Sequence, residues 1–475
     1  MSVTSPPHEA SVQPKADANR CSGVAMVQRP AVTKRLRALA LALFVLAVLA
    51  SATHLVARDF FDMIPTGSSG QPRSRAIPMD WAPRWELTAF LCLTQLLLIA
   101  APWRPVIGIV TFVGVSYLFR VHSTSWIYTQ AVGLQTATAV LALCGVLMSL
   151  DSPLQALRRL NHGFFKCLCA LVFWALVCAG AAAFSGEGYM PALQFSPSRL
   201  IQALALCAGL LLLANPTRLL TVLAIALVST LLLRVAFLDP LQHRDAGIAS
   251  DVVLAIPLLG YLFVVCDRWW AKAMLLAVGI GFAWIVFHVE NRGAAIALAV
   301  GLLTAWATSK RRTMLTVLGL PLALGTIFAF AQTSFGERLL DIDQWTNDKR
   351  PRLFAEGVAM GFDHPVFGVG PGNFVNRIGS YATSLEHYTS HNVFVTVFAE
   401  CGLPGLVAFF FCMSFAVWLG MQNWRREHSH ASRWALVTLS TATAIGLFLT
   451  TTMFVLPYMV MAIAAERAES RADVV

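Results

Sequence analysis

The chain is short of charge. Only 13% of its 475 residues are Asp, Glu, Lys or Arg, against roughly 25% in a soluble domain. With 57% hydrophobic residues and a mean hydropathy of +0.66, this excludes a water-soluble fold. Cysteine offers no framework either. The ten cysteines show no CxxC spacing. Cys92, Cys144, Cys167, Cys169, Cys178, Cys207 and Cys412 sit inside apolar runs, where a free thiol packs as a small hydrophobe. No disulfide scaffold or cysteine metal site follows. There is no acidic cluster to hold a divalent metal, no nucleophile elbow, no paired-carboxylate signature and no Walker pattern. The net charge of +10 is scattered among the breaks between apolar runs, so a nucleic-acid partner is not expected.

What the chain has is apolar length. Hydrocarbon offers no hydrogen-bond partners, so a spanning segment must be a helix or part of a closed barrel. Runs of roughly 17–25 apolar residues are helical, whereas barrel strands alternate over about ten. Candidate spans fall near residues 38–57, 86–101, 105–119, 131–150, 164–184, 199–214, 218–237, 251–266, 271–289, 293–309, 313–331 and 391–421. The run 434–465 is about 46 Å long as a helix, too long for one upright span. Pro457 lies within it, so a kink or a helical hairpin is expected. The expected fold is an all-α polytopic membrane protein of about 12–14 transmembrane helices with one long folded loop. Its parts are a polar tail at 1–33 without apolar period, a helix bundle at 34–331, a large loop at 332–390, C-terminal helices at 391–466 and a polar tail at 467–475.

Lys and Arg in short loops set the orientation. Arg104, Arg158, Arg159, Lys166, Arg218, Arg268, Lys272, Lys310, Arg311, Arg312, Arg425, Arg426 and Arg433 fall on one side. Arg120, Arg199, Arg234, Arg244 and Arg292 fall on the other. The thirteen-to-five bias puts the first set in the cytoplasm, and the 332–390 loop outside, in the periplasm of a cell with two membranes.

That loop is the polar anomaly of the chain, and loops beyond about 12–15 residues are usually functional or disordered. Its aromatics and placed glycines argue for a folded, functional one. Arg350 and Arg352 precede an amphipathic stretch, Phe354 to Phe362, expected on the membrane surface. Gly368 and Gly370, in Gly368-Val369-Gly370-Pro371-Gly372, permit a tight turn and close backbone approach. Ser390 reads as a helix N-cap, placing His391 and Asn392 in a first helical turn. There the helix dipole favours a neutral imidazole, able to accept a proton near neutral pH. Arg292 follows the capping residue Asn291 and precedes Gly293; its guanidinium suits bidentate phosphate binding. Of Arg234 and Arg244, at least one is expected on an anionic ligand. Glu400 is nine residues from His391, a rotation of about 900° and a depth of about 13.5 Å, hence on the opposite helix face. It reads as a structural contact near the Gly402-Leu403-Pro404-Gly405 break. This inventory permits a metal-independent transfer in which arginines stabilise charge.

The order Asn291-Arg292-Gly293-Ala294, then Gly368-Val369-Gly370-Pro371-Gly372-Asn373-Phe374, then His391-Asn392 and Glu400-x-Gly402-x-x-Gly405, resembles the O-antigen ligase and polymerase superfamily. The resemblance spans roughly Arg234 to Gly405 and lies closest to the ligases of lipopolysaccharide assembly. It implies a glycosyltransferase in the bacterial inner membrane that moves glycan from undecaprenyl diphosphate to a hydroxyl of lipid A-core on the periplasmic side. It implies His391 as general base and Arg292 as a grip on the diphosphate, with Arg234, Arg244 and Arg352 competing for a second grip. Asn291 stands where the family often has serine. No cofactor is implied; the partners are the lipid-linked donor, the lipid A-core acceptor and membrane lipid. Within the superfamily the alternatives are an O-antigen or exopolysaccharide polymerase and a protein O-oligosaccharyltransferase. Outside it the alternative is a lipid-linked glycan flippase, against which stand the clustering of polar residues at one face and the lack of an internal repeat.

Overall fold

The computed structural model describes residues 31–61, 85–118, 125–150, 160, 163–184, 190–213, 216–238, 246–289, 291–309, 349–385, 388, 390–427, 430–447, 460–461 and 464. The expected span at 313–331, Arg244, both polar tails but for 31–33, Pro457 and most of the run after 447 lie outside these residues, as does the side chain of Arg234.

The chain forms two compact units, Met1–Leu43 and Phe44–Val475. Helix α1 (Ala31–Phe61) supplies the described part of the first. Among the described residues the protein is all-α, with fourteen α-helices and no strand. In chain order they continue as α2 (Trp85–Leu96), α3 (Pro105–Leu118), α4 (Ser125–Ser149), α5 (Gly163–Phe184), α6 (Met190–Leu212), α7 (Pro216–Leu238), α8 (Ala246–Val265) and α9 (Trp269–His288). Then come α10 (Arg292–Ala307), α11 (Lys349–Asp363), α12 (Phe374–Tyr381), α13 (Val393–Glu427) and α14 (His430–Gly446). Among the described residues, four helices are long and apolar enough to cross a bilayer on those grounds alone: Gly163–Phe184, Ile248–Val265, Trp269–His288 and Val393–Arg426. This is a multi-pass membrane protein.

Small residues let these helices close up, as expected where lipid removes the hydrophobic drive between spans. A Cβ on Gly145 would lie 2.5 Å from that of Ala101, one on Gly260 2.4 Å from the Trp434 ring, and one on Gly301 2.4 Å from the Thr441 hydroxyl. Buried amides bond across the core of the first helices. Gln202 donates to Thr136 over 2.9 Å and Thr138 to Gln95 over 3.0 Å.

The contacts also fix a common level. Thr221 meets Tyr261 at 3.0 Å, pairing α7 with α8 antiparallel. Gly260 against Trp434 pairs α8 with α14, and Gly301 against Thr441 pairs α14 with α10. Followed along the helix axes at about 1.5 Å per residue, these registers bring Arg234, Ile248, Ile296 and Gly446 to one layer.

At the other end Arg433 donates from Nη2 to the Ala305 carbonyl over 2.7 Å and from Nε to Thr308 Oγ1 over 3.2 Å. A cation there satisfies last-turn carbonyls and suits the helix dipole. Arg433→Ala is expected to destabilise the protein by about 1–3 kcal/mol, read as a lower thermal midpoint in detergent.

Candidate active site

Helix α13 is opened at one point, and the loop before it fills the opening. Gly402 has φ 68 and ψ −171, a region essentially reserved for glycine. Pro404 lacks an N–H, so the Glu400 carbonyl loses its helical donor. Gly370 N–H takes that place at 3.0 Å, and Val369 N–H donates to the Ala399 carbonyl at 2.8 Å. Leu403 N–H turns away from the helix to the Pro365 carbonyl at 2.8 Å. Trp174 Nε1 on α5 donates to the Cys401 carbonyl at 2.9 Å, and its ring stacks on Phe367 with centroids 5.7 Å apart. Non-helical backbone at such depth is stable because protein groups meet its polar atoms.

The glycines make this docking possible. Gly368, Gly370 and Gly372 all have positive φ. A Cβ on Gly368 would lie 2.3 Å from the Glu400 carbonyl carbon, and one on Gly370 2.4 Å from the Ala182 Cβ. The Glu400 carboxylate is 5% exposed and accepts the Phe374 N–H at 3.3 Å. It thus lies at the N-terminus of α12, where an anion is favoured, and holds the loop to the span.

Helix α11 lies across this loop. Leu353, Gly357, Met360 and Gly361 are buried, and Cβ atoms on Gly357 and Gly361 would sit 2.5 Å and 2.4 Å from Val395 and Phe398 of α13. Its polar edge faces the segment that leads to α13. Lys349 donates to the Tyr388 hydroxyl at 2.9 Å, and Arg352 to the Ser384 hydroxyl at 3.2 Å. Tyr381 donates to Asp363 at 2.9 Å. Burial first, then the Asp363 carboxylate, push the Tyr381 phenol up to about 12. A folded value above the ordinary ~10 means this contact contributes fully below pH ~10 and fades as the pH rises toward 12. Phe354 and Phe362 remain exposed on a third side, so the stretch is an amphipathic helix.

The start of α13 corrects one expectation. The helix begins at Val393 and Asn392 is its cap: Asn392 Oδ1 accepts from Phe394 N at 2.9 Å and Val395 N at 3.1 Å. Both Ser390 and Asn392 are capping types, and their spacing alone did not choose between them. His391 therefore stands just outside the helix, with φ 53, the one non-glycine residue of positive φ among those described. A side chain in this region costs about 1–2 kcal/mol, and such strain gathers at functional sites. The residue is half-buried, with Nδ1 shielded from solvent.

Asn392 Nδ2 donates to the Leu447 carbonyl at the end of α14, 3.3 Å away. That carbonyl lies in the layer already shared by Arg234 and the first turn of α10, where Asn291 Oδ1 accepts the Ala294 N–H at 3.1 Å and half-buried Arg292 opens the helix. The structure thus gathers His391, Asn392, Asn291, Arg292 and the Arg234 backbone at one end of the bundle. Arg352, on α11, is over half exposed and 3.8 Å from Glu356. Glu400, Gly368 and Gly370 lie deeper, at the opened helix. Trp174, Thr396 and Leu447 drew no notice in the sequence, because their contacts are non-local or lie inside a helix face.

Residues 275–410, from within α9 into α13, match the family model described as O-antigen ligase. This segment is similar to the O-antigen ligase family. No curated protein matches the chain. The matched segment holds Arg292, α11, the glycine loop and His391, while α5, α7, α8 and α14 supply its surroundings. The match supports a glycosyltransferase-type enzyme of the O-antigen ligase and polymerase kind, a family whose substrates in general are lipid-linked glycan and a lipid acceptor.

Proposed function

We propose that the protein is an O-antigen ligase, which transfers glycan from undecaprenyl diphosphate to a sugar hydroxyl of lipid A-core at the periplasmic face of the inner membrane. The observation that carries this reading is the shared layer of His391 and Arg292, joined through Asn392 and the end of α14. Neutral His391 takes the proton of the acceptor hydroxyl as its oxygen bonds the anomeric carbon. The bond from that carbon to the diphosphate oxygen breaks, and the electron pair leaves with undecaprenyl diphosphate. Arg292 opposes the charge that grows on this leaving group, as a preorganised cation does. Arg234, and Arg244 in the following loop, are candidates for a second cation; Arg352 on α11 is a third. His391 then loses its proton to solvent or to the departing diphosphate.

The test is transfer by purified protein with a synthetic undecaprenyl-diphosphate oligosaccharide, offered either rough lipopolysaccharide or a second lipid-linked unit. Glycan on lipid A-core supports the ligase reading. Chain growth on the lipid-linked unit alone replaces it with a polymerase, and no transfer to either acceptor overturns it. Arg292→Ala is expected to lower the rate about 10²–10³-fold, and Arg292→Lys to recover only part, since an ammonium lacks the bidentate fork.

A further inference from the structure

Nothing in the scheme above explains how a histidine outside any helix keeps a left-handed backbone. Its two neighbours do. Ser390 is 3% exposed. Its Oγ accepts the Asn392 N–H at 3.1 Å and lies in hydrogen-bond contact with Thr396 Oγ1. Thr396 Oγ1 in turn donates to the Asn392 carbonyl at 3.0 Å. The Ser390 hydroxyl also donates to the Asn392 carbonyl at 2.8 Å, so Ser390, Thr396 and the Asn392 backbone form one closed hydrogen-bonded chain. Chains of this kind strengthen one another in a low-dielectric setting. Asn392 is further held by its two cap bonds and by Leu447. Both flanks of His391 are thereby held, and the residue between them runs at φ 53.

We infer that Ser390 and Thr396 are positioning residues, which aim the His391 imidazole by holding its backbone rather than by touching the ring. The inference rests on the reading of His391 as general base. Its chemistry is that of a reacting group held in line, where a displacement of about 1 Å can cost about 10²-fold in rate.

The test compares Ser390→Ala, Ser390→Thr and Thr396→Val with His391→Ala in the reconstituted transfer from a synthetic undecaprenyl-diphosphate oligosaccharide to rough lipopolysaccharide. Rates are taken per monodisperse folded protein. Ser390→Ala and Thr396→Val are expected to lower kcat about 10–100-fold, with KM for the donor within about threefold. Ser390→Thr, which keeps the hydroxyl, is expected to restore most of kcat. An inactive His391→Ala beside an unchanged kcat in Thr396→Val and Ser390→Ala overturns the positioning role and leaves the base standing. Full activity in His391→Ala overturns both. If Ser390→Ala does not fold, Thr396→Val decides, because it keeps the β-branched shape and removes only the hydroxyl. A rise in KM at constant kcat also counts against the inference, since that marks altered donor binding instead of a misaimed base.

Discussion

Gly402→Ala separates the loop from the opened helix and leaves little folded protein. Two costs combine. The new side chain must hold φ 68 and ψ −171, which costs on the order of 1–3 kcal/mol. Its Cβ would also lie 2.2 Å from the Val366 carbonyl oxygen, a backbone atom that cannot swing aside, adding about 1–3 kcal/mol of overpacking. The expected loss is therefore about 2–6 kcal/mol, against total stabilities of about 5–15 kcal/mol. It is read as a collapse in monodisperse yield and thermal midpoint, with faster proteolysis between 363 and 374. Gly180→Ala, Gly279→Ala and Gly281→Ala are the controls, because a Cβ at those three glycines meets nothing within 4 Å. If Gly402→Ala behaves as they do, the docking of the loop on Glu400 and Cys401 does not matter to the fold.

Transfer should fall about 10²–10⁴-fold in His391→Asn, the range of a lost general base. Asparagine is chosen because it tolerates the left-handed backbone better than most side chains. His391→Gly tolerates it better still and also removes the imidazole. Both variants should keep the wild-type thermal midpoint or exceed it slightly, since each relieves strain at φ 53. A loss of rate without loss of stability then belongs to the ring. Activity near wild type in both variants would mean that another group takes the proton. A matched fall in midpoint and rate would instead assign His391 to the architecture of the α13 start.

The helical architecture was legible because a bilayer admits few solutions: apolar runs of spanning length can only be helices. Asn291 as the cap of α10 was equally readable, since capping is local and the side chain reaches only to Ala294. The α13 start was not, because Ser390, two residues before Asn392, offered an equally good cap, and the contact with Leu447 that favours Asn392 is 55 residues away in sequence. The filling of the α13 opening was hidden for the same reason. Gly402 and Pro404 announce a break, but nothing local says that Val369 and Gly370 supply the missing donors. The site was read in its parts and not in its assembly: Arg292 and His391 are nearly a hundred positions apart, and their common layer rests on antiparallel contacts among α7, α8, α10 and α14.

The missing N–H of Pro404 bears on how the protein is made. The span that contains it leaves the ribosome after the glycine loop but enters the bilayer with an acceptor at Glu400 that its own helix cannot satisfy. Until Gly370 arrives, that carbonyl must keep water or a lipid headgroup beside it, at a cost of several kcal/mol if it does not. Docking of the loop thus completes the span, with the Trp174 face of α5 beside it on the Cys401 carbonyl. Without the loop in place, the span would carry an unsatisfied carbonyl within the bilayer.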